Sequence, residues 1–185
     1  MTRSRLLAAL ILAVLLALGF FGYRTYVLRY SDDKLAAAYT PDLTVDPPAA
    51  DTTTYYEGLR WLAEDGYSQA TAALNRIART DPNYPSAQYY AGVAYYRNQQ
   101  LNAARTALLN ATDIGPSTVA EDAEWLLLMT YLKSGRTERE FYQLLARLIE
   151  RATHAYHAQA LSLRDDLESS WRRRWETLAY GQATY

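Results

Sequence analysis

Few residues in this chain are of types that do chemistry. His154 and His157 stand three apart, but the chain has no cysteine and offers them no obvious carboxylate partner, so they are not read as metal ligands. Asp165 and Asp166 are adjacent and read as a solvated face. Trp171-Arg-Arg-Arg-Trp175 offers a basic patch to anionic headgroups or to an acidic partner; the alternative is a basic helix end that favours the C-terminal dipole. No Gly-rich phosphate loop, Ser/His/Asp nucleophile set or pair of buried carboxylates can be picked out. The expectation is a protein that is not an enzyme and uses no metal and no cofactor. The abundant reactive surface is aromatic instead, with 17 tyrosines, several in adjacent pairs. Such side chains bind other polypeptides through large contact area at small entropy cost.

The elements that must position these rings show themselves as a repeat. Gly58 and Gly92 are 34 residues apart, as are Ala70 and Ala104, Leu74 and Leu108, Pro82 and Pro116. A period of this length marks a helix–turn–helix unit stacked along a solenoid, because one hairpin cannot bury its apolar face alone. The first hairpin is predicted at Thr54 to Asp65 and Tyr67 to Thr80, opened by a Thr54-x-x-Glu57 capping box and closed by Asp81-Pro82. The second runs from Pro85 to Asn98 and from Leu101 to Thr112, closed by Gly115-Pro116. Gly58 and Gly92 are expected to admit the second helix of each pair, with Ala70 and Ala104 opposite. A third hairpin fits with a shift of two residues, Glu121 to Lys133 and Thr137 to Arg151, with Gly135 at the turn. Here Leu128 and Glu140 replace the packing glycine and alanine. A capping helix follows from Tyr156 to Leu178, striped by Ala160, Leu163, Leu167, Trp171 and Trp175, with Arg164, Asp165, Asp166 and Arg172 facing water.

The expected organisation is a tail at 1–5, a transmembrane helix at 6–23 and a linker at 24–50. Repeats follow at 51–84, 85–118 and 119–151, then the capping helix at 152–179 and a frayed tail at 180–185. The fold class is all-α. Leu6 to Tyr23 carry no charge and are bracketed by Arg5 and Arg24, with Tyr23, Tyr26 and Tyr30 as an aromatic belt. The run reads as a single-pass anchor; a cleaved signal peptide, with Ala17-Leu18-Gly19 as a poor site, is the alternative. Ala9, Ala13 and Ala17 share one face and permit close helix packing, or merely reflect how common alanine is in such helices. The expected topology in the cell membrane has the N-terminus cytoplasmic and the domain outside, in a bacterium the periplasm. The linker, with Pro41, Pro47 and Pro48, is expected to be extended, with a helical turn at Lys34 to Tyr39; it either spaces the domain from the bilayer or lies along it. Net charge is −1, so no global field steers the chain toward nucleic acid.

On Gly58, Trp61, Ala70, Leu74 and Pro82, and again on Gly92, Tyr95, Ala104, Leu108 and Pro116, the chain resembles the tetratricopeptide-repeat family. The third unit keeps Tyr131 and Leu144. The stretch Trp125 to Gly135 with Tyr156 and Ala160 is also similar to membrane-anchored repeat proteins of Bacteroidota. In layout the chain is similar to a bacterial subunit that accompanies the protein-export channel. The resemblance implies that the first helix of each pair lines a concave groove. That assigns Tyr55, Tyr56, Leu59 and Leu62, then Tyr89, Tyr90, Val93, Tyr96 and Arg97, then Trp125, Leu126, Met129, Leu132 and Lys133. The implied function is a membrane-tethered adaptor or accessory subunit that binds a partner polypeptide in this groove. The alternatives are a self-filled groove, a homodimer face, or a structural subunit of a membrane complex docked through its transmembrane helix.

Overall fold

The structure is a computed structural model that describes residues 3–46, 53–113, 119–135, 139–170, 172–174 and 177. The linker residues Pro47 and Pro48, the Gly115-Pro116 closure, Thr137, Trp171, Trp175 and the tail at 180–185 lie outside the described residues. Within them the chain is all-helical: α1 Arg3–Arg29, α2 Asp32–Tyr39, α3 Thr54–Ala63, α4 Tyr67–Leu74, α5 Tyr84–Arg97, α6 Leu101–Thr112, α7 Ala120–Ser134, α8 Arg139–Glu150 and α9 His157–Leu167.

Helix α1 is long and apolar enough to cross a membrane, with a mean hydropathy of 2.1 over its most apolar stretch. Its side chains from Leu7 to Phe21 are exposed, Leu7 to 61% and Phe21 to 69%. Exposure then falls: Gly22 is buried and Thr25, Tyr26 and Val27 are half-buried. The helix therefore does not yield to an extended linker at residue 24 but continues to Arg29. Only Tyr30 and Ser31 separate it from α2, and the amide of Ser31 bonds back to the Tyr26 carbonyl.

From α3 onward each helix packs on its neighbours in sequence, and α5 touches both α3 and α7. The 34-residue period is written in the geometry. A Cβ added at Gly58 would lie 2.6 Å from Leu74 Cγ, and one added at Gly92 would lie 2.7 Å from Leu108 Cγ, so no larger residue fits without movement. The turns repeat as well. Asp65 and Gln99 both take left-handed backbone, φ 59° and 60°. Each sits within the same capping motif: Gly66 N–H bonds Trp61 O and Asp65 N–H bonds Leu62 O, matched by Gln100 to Tyr95 and Gln99 to Tyr96. Gly135, φ 101°, takes this position in the third unit and its N–H reaches Leu132 O. That is 36 residues after Gln99, which is the two-residue shift read from the sequence.

Several boundaries differ from expectation. Helix α3 has Thr53 as its N-cap, so Thr54 lies in the first turn and the proposed capping box does not form. Helix α4 ends at Leu74 rather than Thr80, because the chain tightens through bonds from Arg76 N–H to Ala73 O and from Ile77 N–H to Leu74 O. The capping helix is broken: α9 ends at Leu167, and Ser169 Oγ accepts the Arg172 N–H at 3.3 Å. Ser169 thereby starts a new helical turn where an unbroken stripe was expected. Helices α7 and α8, although longer than α3 and α4, contact each other more sparsely. Buried Leu128 stands where the other pairs have glycine, 16 residues before buried Leu144 as Gly58 is before Leu74.

Candidate functional site

Helices α3, α5 and α7 carry the residues that the repeat pattern assigns to a groove, and α7 is covered by the chain's own α2. Helix α2 packs on α7 and α9. Leu35 and Ala36 are buried at its centre, and Leu43 is buried in the extended residues that follow. Trp125 Nε1 donates to the Tyr39 carbonyl at 2.9 Å. The Tyr39 ring meets Trp125 edge-on at 6.3 Å, and its hydroxyl donates to Asp166 Oδ2 at 2.8 Å. The hydroxyls of Thr40 and Tyr96 share a hydrogen bond of 2.9 Å. A two-turn helix like α2 is marginal by itself, so this packing is what makes it helical. Burial of Leu35 and Leu43 alone contributes about 1.5–3 kcal/mol each before ordering costs.

Individual side chains divide along the groove. Trp125 and Met129 are wholly buried, as are Leu62, Leu126 and Leu132; Leu59, Tyr89, Val93 and Tyr96 are nearly so. Trp125 is the pivot: its other face stacks on Tyr156, ring centroids 5.1 Å apart and planes 2° from parallel. In the first two units Tyr55, Tyr56 and Tyr90 remain half-buried, with Tyr55 edge-on to Tyr56 at 5.0 Å and tilted to Tyr90 at 6.4 Å. Val45 packs against both ends. Arg97 pairs loosely with Asp65 at 3.6 Å, and Lys133 Nζ lies 4.9 Å from the Tyr96 ring centre. Burial pushes the Tyr55 phenol up to about 12, helped by Tyr90. It drives the phenols of Tyr39, Tyr89 and Tyr156 well above the usual range, with Asp166 and Asp122 adding to it at Tyr39 and Tyr156 by hydrogen bonding.

Sequence reasoning missed what holds the tether and α9 in place. Arg172, expected to face water, is fully buried; its guanidinium donates to the Tyr30 carbonyl and to Asp32 Oδ1, the latter at 2.5 Å. Burial of a charge is tolerable there because the acid and the carbonyl replace its water. Asp166 likewise is no solvated residue but the acceptor for Tyr39. His154 does have a carboxylate partner: its Nε2 lies 3.1 Å from Glu124 Oε2 while Nδ1 accepts the Tyr156 N–H at 3.1 Å. That pattern fixes the tautomer with hydrogen on Nε2. Arg151 grips the same Glu124 at 2.8 and 3.1 Å, and Tyr156 OH donates to Asp122 at 2.7 Å. His157 faces elsewhere, 3.4 Å from the Leu148 carbonyl, and among the described residues no three His, Asp or Glu converge as a metal-holding group. Ala9, Ala13 and Ala17 are exposed on α1, away from all of this.

No family model, no curated protein and no solved structure matches the chain.

Proposed function

We propose that the protein is a membrane-tethered, non-enzymatic interaction scaffold of the tetratricopeptide type. Its concave face holds the chain's own tether at rest and receives a partner polypeptide once the tether is displaced. The observation that carries this reading is the occupied groove. A helix followed by extended chain lies against Trp125 and Tyr96, with a backbone carbonyl bonded to the Trp125 indole and Thr40 bonded to the Tyr96 hydroxyl. Those are the contacts that any polypeptide of similar form would make there. The repeated glycine contacts and capping turns support the family assignment. The exposed apolar α1 supports the anchor; on this reading the domain lies outside the cytoplasm.

Occupancy in cis sets a demanding condition. A tethered segment of about micromolar intrinsic affinity, at an effective concentration of about 1 mM, weakens an equally strong partner about a thousandfold, to about millimolar. Opening is therefore part of the function. A second reading, an accessory subunit docked through α1, is favoured by the same filled groove together with the exposed Ala9, Ala13 and Ala17 face.

A photo-cross-linker placed at Tyr89 in the full chain, in native membranes, separates the two. The expected adduct joins Tyr89 to residues 35–45 of the same chain. In a Leu35→Asp, Leu43→Asp variant that retains its helical circular dichroism, the adduct should move to a second polypeptide and vanish when Trp125→Ala is added. Adducts of the opened variant only to itself, or to another copy, would discard the capture reading in favour of docking through α1 or of a homodimer.

A further inference from the structure

Arg173 and Arg174 directly follow the buried Arg172 and, unlike it, are exposed on helical backbone. Their position is set by that neighbour. The Arg172 guanidinium is bonded to the Tyr30 carbonyl and to Asp32, so the run is pinned one residue beyond the end of α1. Consecutive Cα atoms are about 3.8 Å apart, which holds both arginines within about 15 Å of the point where the apolar helix meets the domain. The helix itself marks that level: its side chains are exposed without a break through Phe21, and from there burial begins on one face, with Gly22 buried and Thr25, Tyr26 and Val27 half-buried while Tyr23 and Leu28 stay exposed. Arg24 and Arg29 on α1 and Lys34 on α2 are exposed near the same level. Of the acids close by, Asp32 is engaged by Arg172, leaving Asp33 and Glu168 exposed.

We propose that Arg173 and Arg174, together with Arg24 and Arg29, form a second membrane contact that binds the anionic headgroups of the leaflet from which α1 emerges. This rests on the reading of α1 as an anchor. Guanidinium groups match phosphate oxygens in pairs, and an anionic surface attracts them within a Debye length of about 8 Å. The anchor and this contact lie at opposite ends of the sequence but at one place in the fold. Two attachments there orient the repeats over the bilayer, where one would leave them free to swing.

The absence of cysteine allows a clean test on the full chain. A single Ser170→Cys, labelled with a fluorophore, reports on headgroup-linked quenchers in vesicles of phosphatidylcholine alone or mixed with phosphatidylglycerol. Quenching should appear in the mixed vesicles and weaken at high salt. It should lose about fivefold in the contacting population for each of Arg173→Gln and Arg174→Gln, and recover with Lys at both positions. Flotation on the same vesicles distinguishes the two readings. A chain that floats with its label unquenched, or equally quenched in neutral vesicles and in the Gln variants, overturns the headgroup contact and spares the anchor. A chain that fails to float removes the anchor and this proposal together.

Discussion

The first two hairpins and the third share a turn but not a way of packing. In α3/α4 and α5/α6 a glycine lets a leucine of the facing helix come within 2.7 Å of where a Cβ would stand. In α7/α8 Leu128 takes that place and the pair opens. The regular hairpins satisfy their apolar faces on each other. The third takes what it lacks from outside the repeats, from α2 on one flank and, on the other, from His154, which bonds its Glu124, and Tyr156, which stacks on its Trp125. A degenerate unit is thus where the non-repeating parts of the chain are held.

That contrast can be broken at Trp125, which touches the tether on one side and Tyr156 on the other. Trp125→Ala should cost the full chain about 3–5 kcal/mol in denaturant unfolding, and Tyr55→Ala at the open end less than half of that. Equal losses would mean the two ends of the groove are supported alike. A smaller effect is expected from Gly92→Ala, which should cost about 1–3 kcal/mol by overpacking Leu108 despite alanine's better helix propensity. Combined with Leu108→Ala, that change should cost less than the two single losses added, and strict additivity would show that the close approach does not govern stability. The smallest effect concerns the shared turn. Gln99→Gly should stabilise by about 0.5–1 kcal/mol because glycine relieves the left-handed backbone, whereas Gly135→Ala should destabilise by a similar amount. Gains or losses of one sign at both sites would show that the two turns are not equivalent.

Much of the regular part was legible in the sequence because its constraints are local and recur. Gly58 and Gly92 announce close helix contacts, and Gly135 announces the left-handed turn together with the two-residue slip. The tether was legible as an extended linker with one helical turn at Lys34 to Tyr39, and whether it spaced the domain or lay along it stayed open. Its prolines and aspartates speak against structure, and the apolar set Leu35, Ala36, Tyr39 and Leu43 is too short to signal a docked helix by periodicity. Trp125, Met129 and Tyr89 were assigned to a groove by pattern, and the structure shows all three buried. What covers them depends on contacts across 86 or more residues, such as that between Trp125 and Tyr39, which leave no local trace. Arg172 looked like one of three surface arginines, and nothing in the run distinguishes the buried member. Ser169, the residue that breaks the last helix, was a readable cap overlooked inside an attractive apolar stripe.

The bond between Arg172 and the Tyr30 carbonyl spans 142 residues, and that span has a meaning in time. At about 5–20 residues per second, a ribosome needs roughly 7–30 s after making Tyr30 before Arg172 exists. The neighbouring helices of each pair, close in sequence, can form as they are made, while the clamp on the tether waits for the end of translation. A chain cut short before residue 172 would keep the bonds of Tyr39 and Thr40 to the repeats yet lack the one that fixes the end of the apolar helix, so the last fastening of the tether marks the completion of synthesis.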